Sequence, residues 1–167
     1  MSRKQSVWFK NILAAYGFSL VWLFVANCLF PPPPERWILP TGQVGVAGAT
    51  MSTADLLMLL CVYAPLIEEL FFRMIGVGIP LAIFGRSHPA VWLIAIAGSA
   101  VFGYLHGNAL NLPYQGVLGL VLAWTFIRNA CLAGASEVGG ILSGFVSSAL
   151  VHAMYNFTVL LMAIDMK

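Results

Sequence analysis

Three groups of polar residues lie in stretches that are otherwise apolar, and each carries side chains able to move protons or stabilise charge. The first is Glu68-Glu69-Leu70-Phe71-Phe72-Arg73. The second is Phe102-Gly103-Tyr104-Leu105-His106, and the third is His152-Ala153-Met154-Tyr155-Asn156. On a helix, Glu69 and Arg73 are i,i+4 neighbours in the favoured acid-first order, so Arg73 can neutralise Glu69. Glu68 points about 100° away from Glu69 and is left free to face the interior as a general base or acid. His152 and Asn156 share one helix face, which continues backwards through Ser148, Gly144 and Gly140. Small residues there let a neighbouring helix approach closely, which brings His152 and Asn156 into a packed interface. Each group also has a plainer reading. Glu68, Glu69 and Arg73 could be a structural ion-pair cluster, and His106, His152 and Asn156 could serve interhelical hydrogen bonding alone.

The elements that must position these groups follow from composition. Of 167 residues, 60% are apolar and only 8% carry a formal charge, against about 25% in a soluble domain. Such a chain cannot cover a water-facing surface. It reads as a polytopic membrane protein in contact with the lipid bilayer. The net charge of +2 and the lack of a basic tract argue against nucleic acid as a partner. Cys28, Cys61 and Cys131 are far apart in apolar surroundings and read as small core hydrophobes, with neither a zinc site nor a disulfide framework. Val25-Ala26-Asn27-Cys28 faintly resembles a lipoprotein signal, but Asn27 is wrong for the small residue expected there, and a retained first span is the expectation.

A helix needs about 20 apolar residues to cross a hydrocarbon core of about 30 Å. The first candidate runs from Val7 to Phe30, where Pro31-Pro32-Pro33-Pro34 stops it and a Gly-rich loop from Pro40 to Thr50 follows. Ser52 or Thr53, with Asp55, caps a second helix from Ala54 towards Phe84, expected to kink near Pro65 and Pro80. After the turn Gly85-Arg86-Ser87-His88-Pro89, further spans cover Ala90 to His106, Tyr114 to Arg128 and Ile141 to Ile164. The loop Gly107 to Pro113 and a flexible connection Gly134 to Gly140 join them. The expected fold is therefore all-α: a helical membrane bundle of about five transmembrane helices. Residues 1–53 form an N-terminal helix with an external Pro/Gly-rich loop, and residues 54–167 a four-helix catalytic core. Arg3, Lys4, Lys10, Arg86 and Arg128 favour a cytoplasmic N-terminus and an external C-terminus.

Glu68 lies about 19 residues before Ser87 and His106 about 19 after it, so both stand about 28 Å from that turn by helix rise. His152 stands about 25 Å from a turn near Ala135 by the same measure. All three groups can therefore meet at one depth, towards the outer side.

Glu-Glu-x-x-x-Arg, Phe-x-x-x-His and His-x-x-x-Asn, in that order on successive helices, resemble the signature of the CPBP intramembrane proteases. That family contains CAAX prenyl endopeptidases, bacteriocin-processing and immunity proteins, and sorting enzymes of the myxosortase type. The resemblance covers Ala54 to Thr158, with Met74 standing where a Gly often follows the arginine. It implies that Glu68 activates water, that His106 holds and polarises that water, and that His152 and Asn156 stabilise the oxyanion. Glu69, Arg73 and Phe102 would be supports. It further implies an endopeptidase that needs no cofactor or metal and acts on a protein or peptide with a C-terminal or transmembrane segment, in a bacterial inner membrane. Two other classes remain: a noncatalytic immunity or scaffold protein, and a metal-dependent protease with Glu68, His106 and His152 as ligands. Asn156 is a poor zinc ligand and no H-E-x-x-H is present, which sets metal dependence last.

Overall fold

A computed structural model describes residues 2–30, 52–107, 109–134 and 138–165. Every regular element among them is helical. Helix α1 spans Arg3–Leu29 and opens on a capping box in which Ser2 and Gln5 bond each other's backbone N–H. A segmented helical run follows: α2 (Thr53–Met58), a wide π-turn (Leu59–Tyr63), α3 (Ala64–Glu69) and a second wide turn (Leu70–Ile75). Helices α4 (Gly78–Phe84) and α5 (Pro89–Leu105) form a hairpin, and α6 (Val117–Ala133) and α7 (Val138–Asp165) complete the bundle. Between α5 and α6 lie a 3-10 turn (Ala109–Asn111) and a third wide turn (Leu112–Gly116).

Three stretches are long and apolar enough to cross a membrane: Arg3–Leu29, Ala109–Ala133 and Val138–Met162. The other two expected spans are the segmented run and the 17-residue α5. The result is the expected helical membrane bundle. The tetraproline, the Gly-rich loop, Arg36, Trp37, Asn108 and Lys167 lie outside the described residues.

Helix α6 is the centre of the bundle. One side packs Leu118 and Leu122 against Ile12, Ala15 and Leu23 of α1 and Val151 and Tyr155 of α7. The other side packs Ala123, Phe126, Ile127 and Ala130 against Leu81 of α4 and Val91 and Ala95 of α5. Lipid gives helices no hydrophobic reason to associate, so close packing and polar bonds must hold them. Both are present. A Cβ on Gly144 would come 2.7 Å from Phe126 O, which shows how near α7 lies to α6 along the small-residue stripe. Buried Asn11 on α1 donates to Asn129 Oδ1 on α6 at 2.7 Å.

Several local expectations are corrected. The second helix breaks at Gly76–Val77, not at Pro80, which sits in the first turn of α4, where a missing N–H leaves no bond unmade. Helix α6 runs on to Ala133 rather than stopping near Arg128, because buried Asn129 has its partner on α1. It ends at Gly134, whose φ of 106° disfavours a side chain. Gly139 and Gly140 already belong to α7. Pro113 lies in the third wide turn rather than a loop. His88 caps α5, its Nδ1 accepting from Ala90 N–H at 3.2 Å. Cys28 is exposed on α1 instead of buried, on the side that also exposes Val21 and Phe24.

Candidate active site

The segmented run delivers two adjacent carboxylates to different surroundings. Glu69 ends α3 fully buried, and its Oε2 lies 3.4 Å from Nε of equally buried Arg73. The expected pairing is therefore present. Arg73 also donates through Nη2 to Gly119 O of α6 at 3.1 Å, and its guanidinium lies 4.6 Å from the Phe102 ring centre. Gly119 is glycine for a reason of space: a Cβ there would sit 3.3 Å from that same Nη2 and 3.0 Å from the Ser99 side chain.

Glu68, about 100° round the helix, keeps 27% of its side chain exposed. Its Oε2 lies 3.7 Å from His106 Nε2 and 3.7 Å from His152 Nε2. The two imidazoles are held from behind. His106, just past the end of α5, places Nδ1 2.7 Å from Phe102 O, and since a carbonyl only accepts, Nδ1 carries the proton. His152 places Nδ1 3.1 Å from Glu69 Oε1, a carboxylate already facing Arg73, so here too Nδ1–H donates. Both Nε2 atoms are thereby turned towards Glu68.

The Phe102 ring joins the two levels. It lies 4.4 Å from the His106 ring, 5.7 Å from His152 and 5.3 Å from Phe72, centre to centre. Beneath it, Glu69, Arg73 and His152 are sealed off; Glu68 and half-exposed His106 form the accessible rim. Asn156 is not in contact with Glu68 in this way. Its Nδ2 donates to Leu60 O, in the first wide turn, at 2.8 Å. The structure thus brings together Glu68, Glu69, Arg73, Phe102, His106 and His152, with Asn156 one turn further along α7. Among the described residues, no group of three or more His, Cys, Asp or Glu side chains is arranged to hold a metal ion.

Sequence reading missed the partners behind each imidazole and the bond from Asn111 Nδ2 to His106 O at 2.5 Å. The i−4 position of Phe102 relative to His106 was visible; that its carbonyl, not only its ring, holds His106 was not.

The model of the type II CAAX prenyl endopeptidase Rce1-like family matches residues 50–158, well over half of the chain. The chain belongs to the Rce1-like family. No match is found among curated proteins or among solved structures. The Rce1-like segment takes in every residue of the site and leaves out α1. Membership, together with the apolar helices, makes this an integral membrane protein and a protease, a hydrolase whose substrate is a protein.

Proposed function

We propose that the chain is a glutamic-type intramembrane endopeptidase in which Glu68 activates water. The observation that carries this reading is the meeting of Glu68 Oε2 with two imidazole Nε2 atoms at 3.7 Å each, both imidazoles being held at Nδ1. A carboxylate and a neutral imidazole Nε2 both accept, so a molecule between Glu68 and His106 must donate twice, which water does. Glu68 takes the proton as the water oxygen attacks the scissile carbonyl carbon, and returns it to the leaving amine nitrogen. His106 orients the same water.

The oxyanion needs a donor. His152 Nε2 faces the same side as Glu68 while its Nδ1–H is held on Glu69, so a proton on Nε2 is placed to be donated to the oxyanion. Of the expected His152 and Asn156 pair, we assign the donor role to His152. Glu69, Arg73 and Phe102 act as supports.

Residues 54–167 form the catalytic core on this reading, and residues 1–53 an added helix and external loop. The Lys and Arg distribution supports a cytoplasmic N-terminus in a bacterial inner membrane, with the site towards the outer face. That placement favours a translocated substrate, and removal of a C-terminal membrane-anchoring tail, as in myxosortase-type sorting enzymes, fits it better than cleavage of a cytosolic prenylated terminus. Proteomic comparison of membranes carrying wild type or Glu68→Ala tests this. Mature C-termini should disappear in the variant, with tail-retaining forms in their place; identical sets of C-termini would sink the reading.

A further inference from the structure

Pro65 has no N–H, so the helix around it must dispose of the carbonyl that this N–H would have bonded. Over Leu59–Tyr63 the chain does so with a wide turn, in which the Ala64 N–H goes to Leu59 O. In that register the next donor in line is residue 65, and a proline there leaves Leu60 O without its backbone partner. Asn156 supplies one, its Nδ2–H donating to Leu60 O at 2.8 Å from across the helix interface. His152, on the same face of α7, bonds Glu69. One face of α7 therefore grips the segment bearing Glu68 at two points, one on either side of Pro65.

We propose that Asn156 is a positioning residue: by bonding the carbonyl orphaned by Pro65, it locks the wide turn and so sets the rotation at which Glu68 meets His106 and His152. The geometry is unforgiving. A wide turn holds one residue more than a regular one, and relaxing it would turn Glu68 by about 100° relative to α2. This inference rests on Glu68 being the proposed base.

Because Pro65 creates the orphan carbonyl, Pro65→Ala removes the need for Asn156. The test uses the full-length protein in detergent, with melting temperatures and cleavage of a quenched fluorescent peptide that carries an apolar membrane-anchoring tail at its C-terminus, the substrate class proposed above. Asn156→Ala should lower kcat about tenfold or more, with KM held within about twofold, and lower the melting temperature. Pro65→Ala alone should keep near-normal kcat. In the double variant kcat should return to within about threefold of wild type, and Asn156→Ala should no longer shift the melt. A double variant as slow as Asn156→Ala would put the amide on the reacting atoms and overturn the proposal, as would a fully active Asn156→Ala. Should Asn156→Ala not fold, the double variant must fold; one that also fails overturns the proposal. The melts read the coupling of positions 65 and 156 without any substrate. Activity in Glu68→Gln would remove the mechanism while leaving that coupling in place, so the two failures are distinct.

Discussion

His106 and His152 each give Nδ1 to a fixed acceptor, Phe102 O and Glu69 Oε1, and what remains for chemistry is the pair of Nε2 atoms around Glu68. On the proposed mechanism Glu68 acts through its proton, being partly exposed and without a buried cation of its own. Glu68→Gln and His106→Ala should therefore each lower turnover by about 10²–10⁴-fold while the protein still inserts and melts normally. Near-normal turnover by folded Glu68→Gln would rule out its role as base. Glu69 differs, although it is the adjacent residue and the same side chain. Its carboxylate neutralises Arg73 and orients His152 where both are out of contact with solvent. Glu69→Gln should destabilise the protein by about 3–5 kcal/mol, because it leaves a buried guanidinium unpaired. A thermal melt in detergent reads this, and an unchanged melting temperature would contradict the pairing.

At the scale of elements, the depth of the site is set where helices nearly touch. A Cβ on Gly103 would lie 2.6 Å from Gly116 N and 2.7 Å from Gly116 Cα, backbone against backbone, at the crossing of α5 and the third wide turn. Phe102 and His106 flank that crossing on α5 and just beyond it. Gly103→Ala should cost about 1–3 kcal/mol by overpacking and slow cleavage by displacing both flanking residues. Equal stability and activity would show that the crossing has slack. Contacts of this kind mark the boundary of what sequence can tell. Relations within one helix were legible: the Glu69 and Arg73 pair, the shared face of His152 and Asn156, the Ser52 cap with Asp55, all consequences of the 3.6-residue period. Relations between helices were not. His152 bonds Glu69 and Asn156 bonds Leu60 O because of how far α7 is rotated against the segmented run, and periodicity carries no such angle. The same limit explains the helix ends. The fourth span was expected to stop near Arg128 only while Asn11 was unknown as the partner of Asn129, and Pro80 looked like a kink only while the break at Gly76–Val77 was unseen.

At the scale of the molecule, α1 lies outside the matched residues 50–158 yet is bonded to the core along its length. Asn11 meets Asn129, Tyr16 meets Thr158 at 2.7 Å, Trp22 donates to Pro113 O at 2.5 Å, and the Tyr114 O–H lies between two acceptors, Ala26 O and Phe30 O. Helix α1 thus ties its C-terminal end to the α5–α6 connection, the end of the bundle where His106 also lies. The turn at Arg86 and Ser87 is at the opposite end, separated from His106 by the 17 residues of α5, about 26 Å of helix rise. On the proposed mechanism water must reach Glu68, and the shorter route is from the His106 end. Arg3, Lys4, Lys10, Arg86 and Arg128 gather towards the other end, the pattern of a cytoplasmic face. Cysteine labelling decides between the two sides. In a background with Cys28, Cys61 and Cys131 replaced, a cysteine at exposed Leu110 should react with an impermeant thiol reagent added to intact cells. A cysteine at Ser87 should react only after the membrane is opened. The reverse pattern would invert the topology, place the water route on the cytoplasmic side, and make a cytosolic C-terminus the preferred substrate.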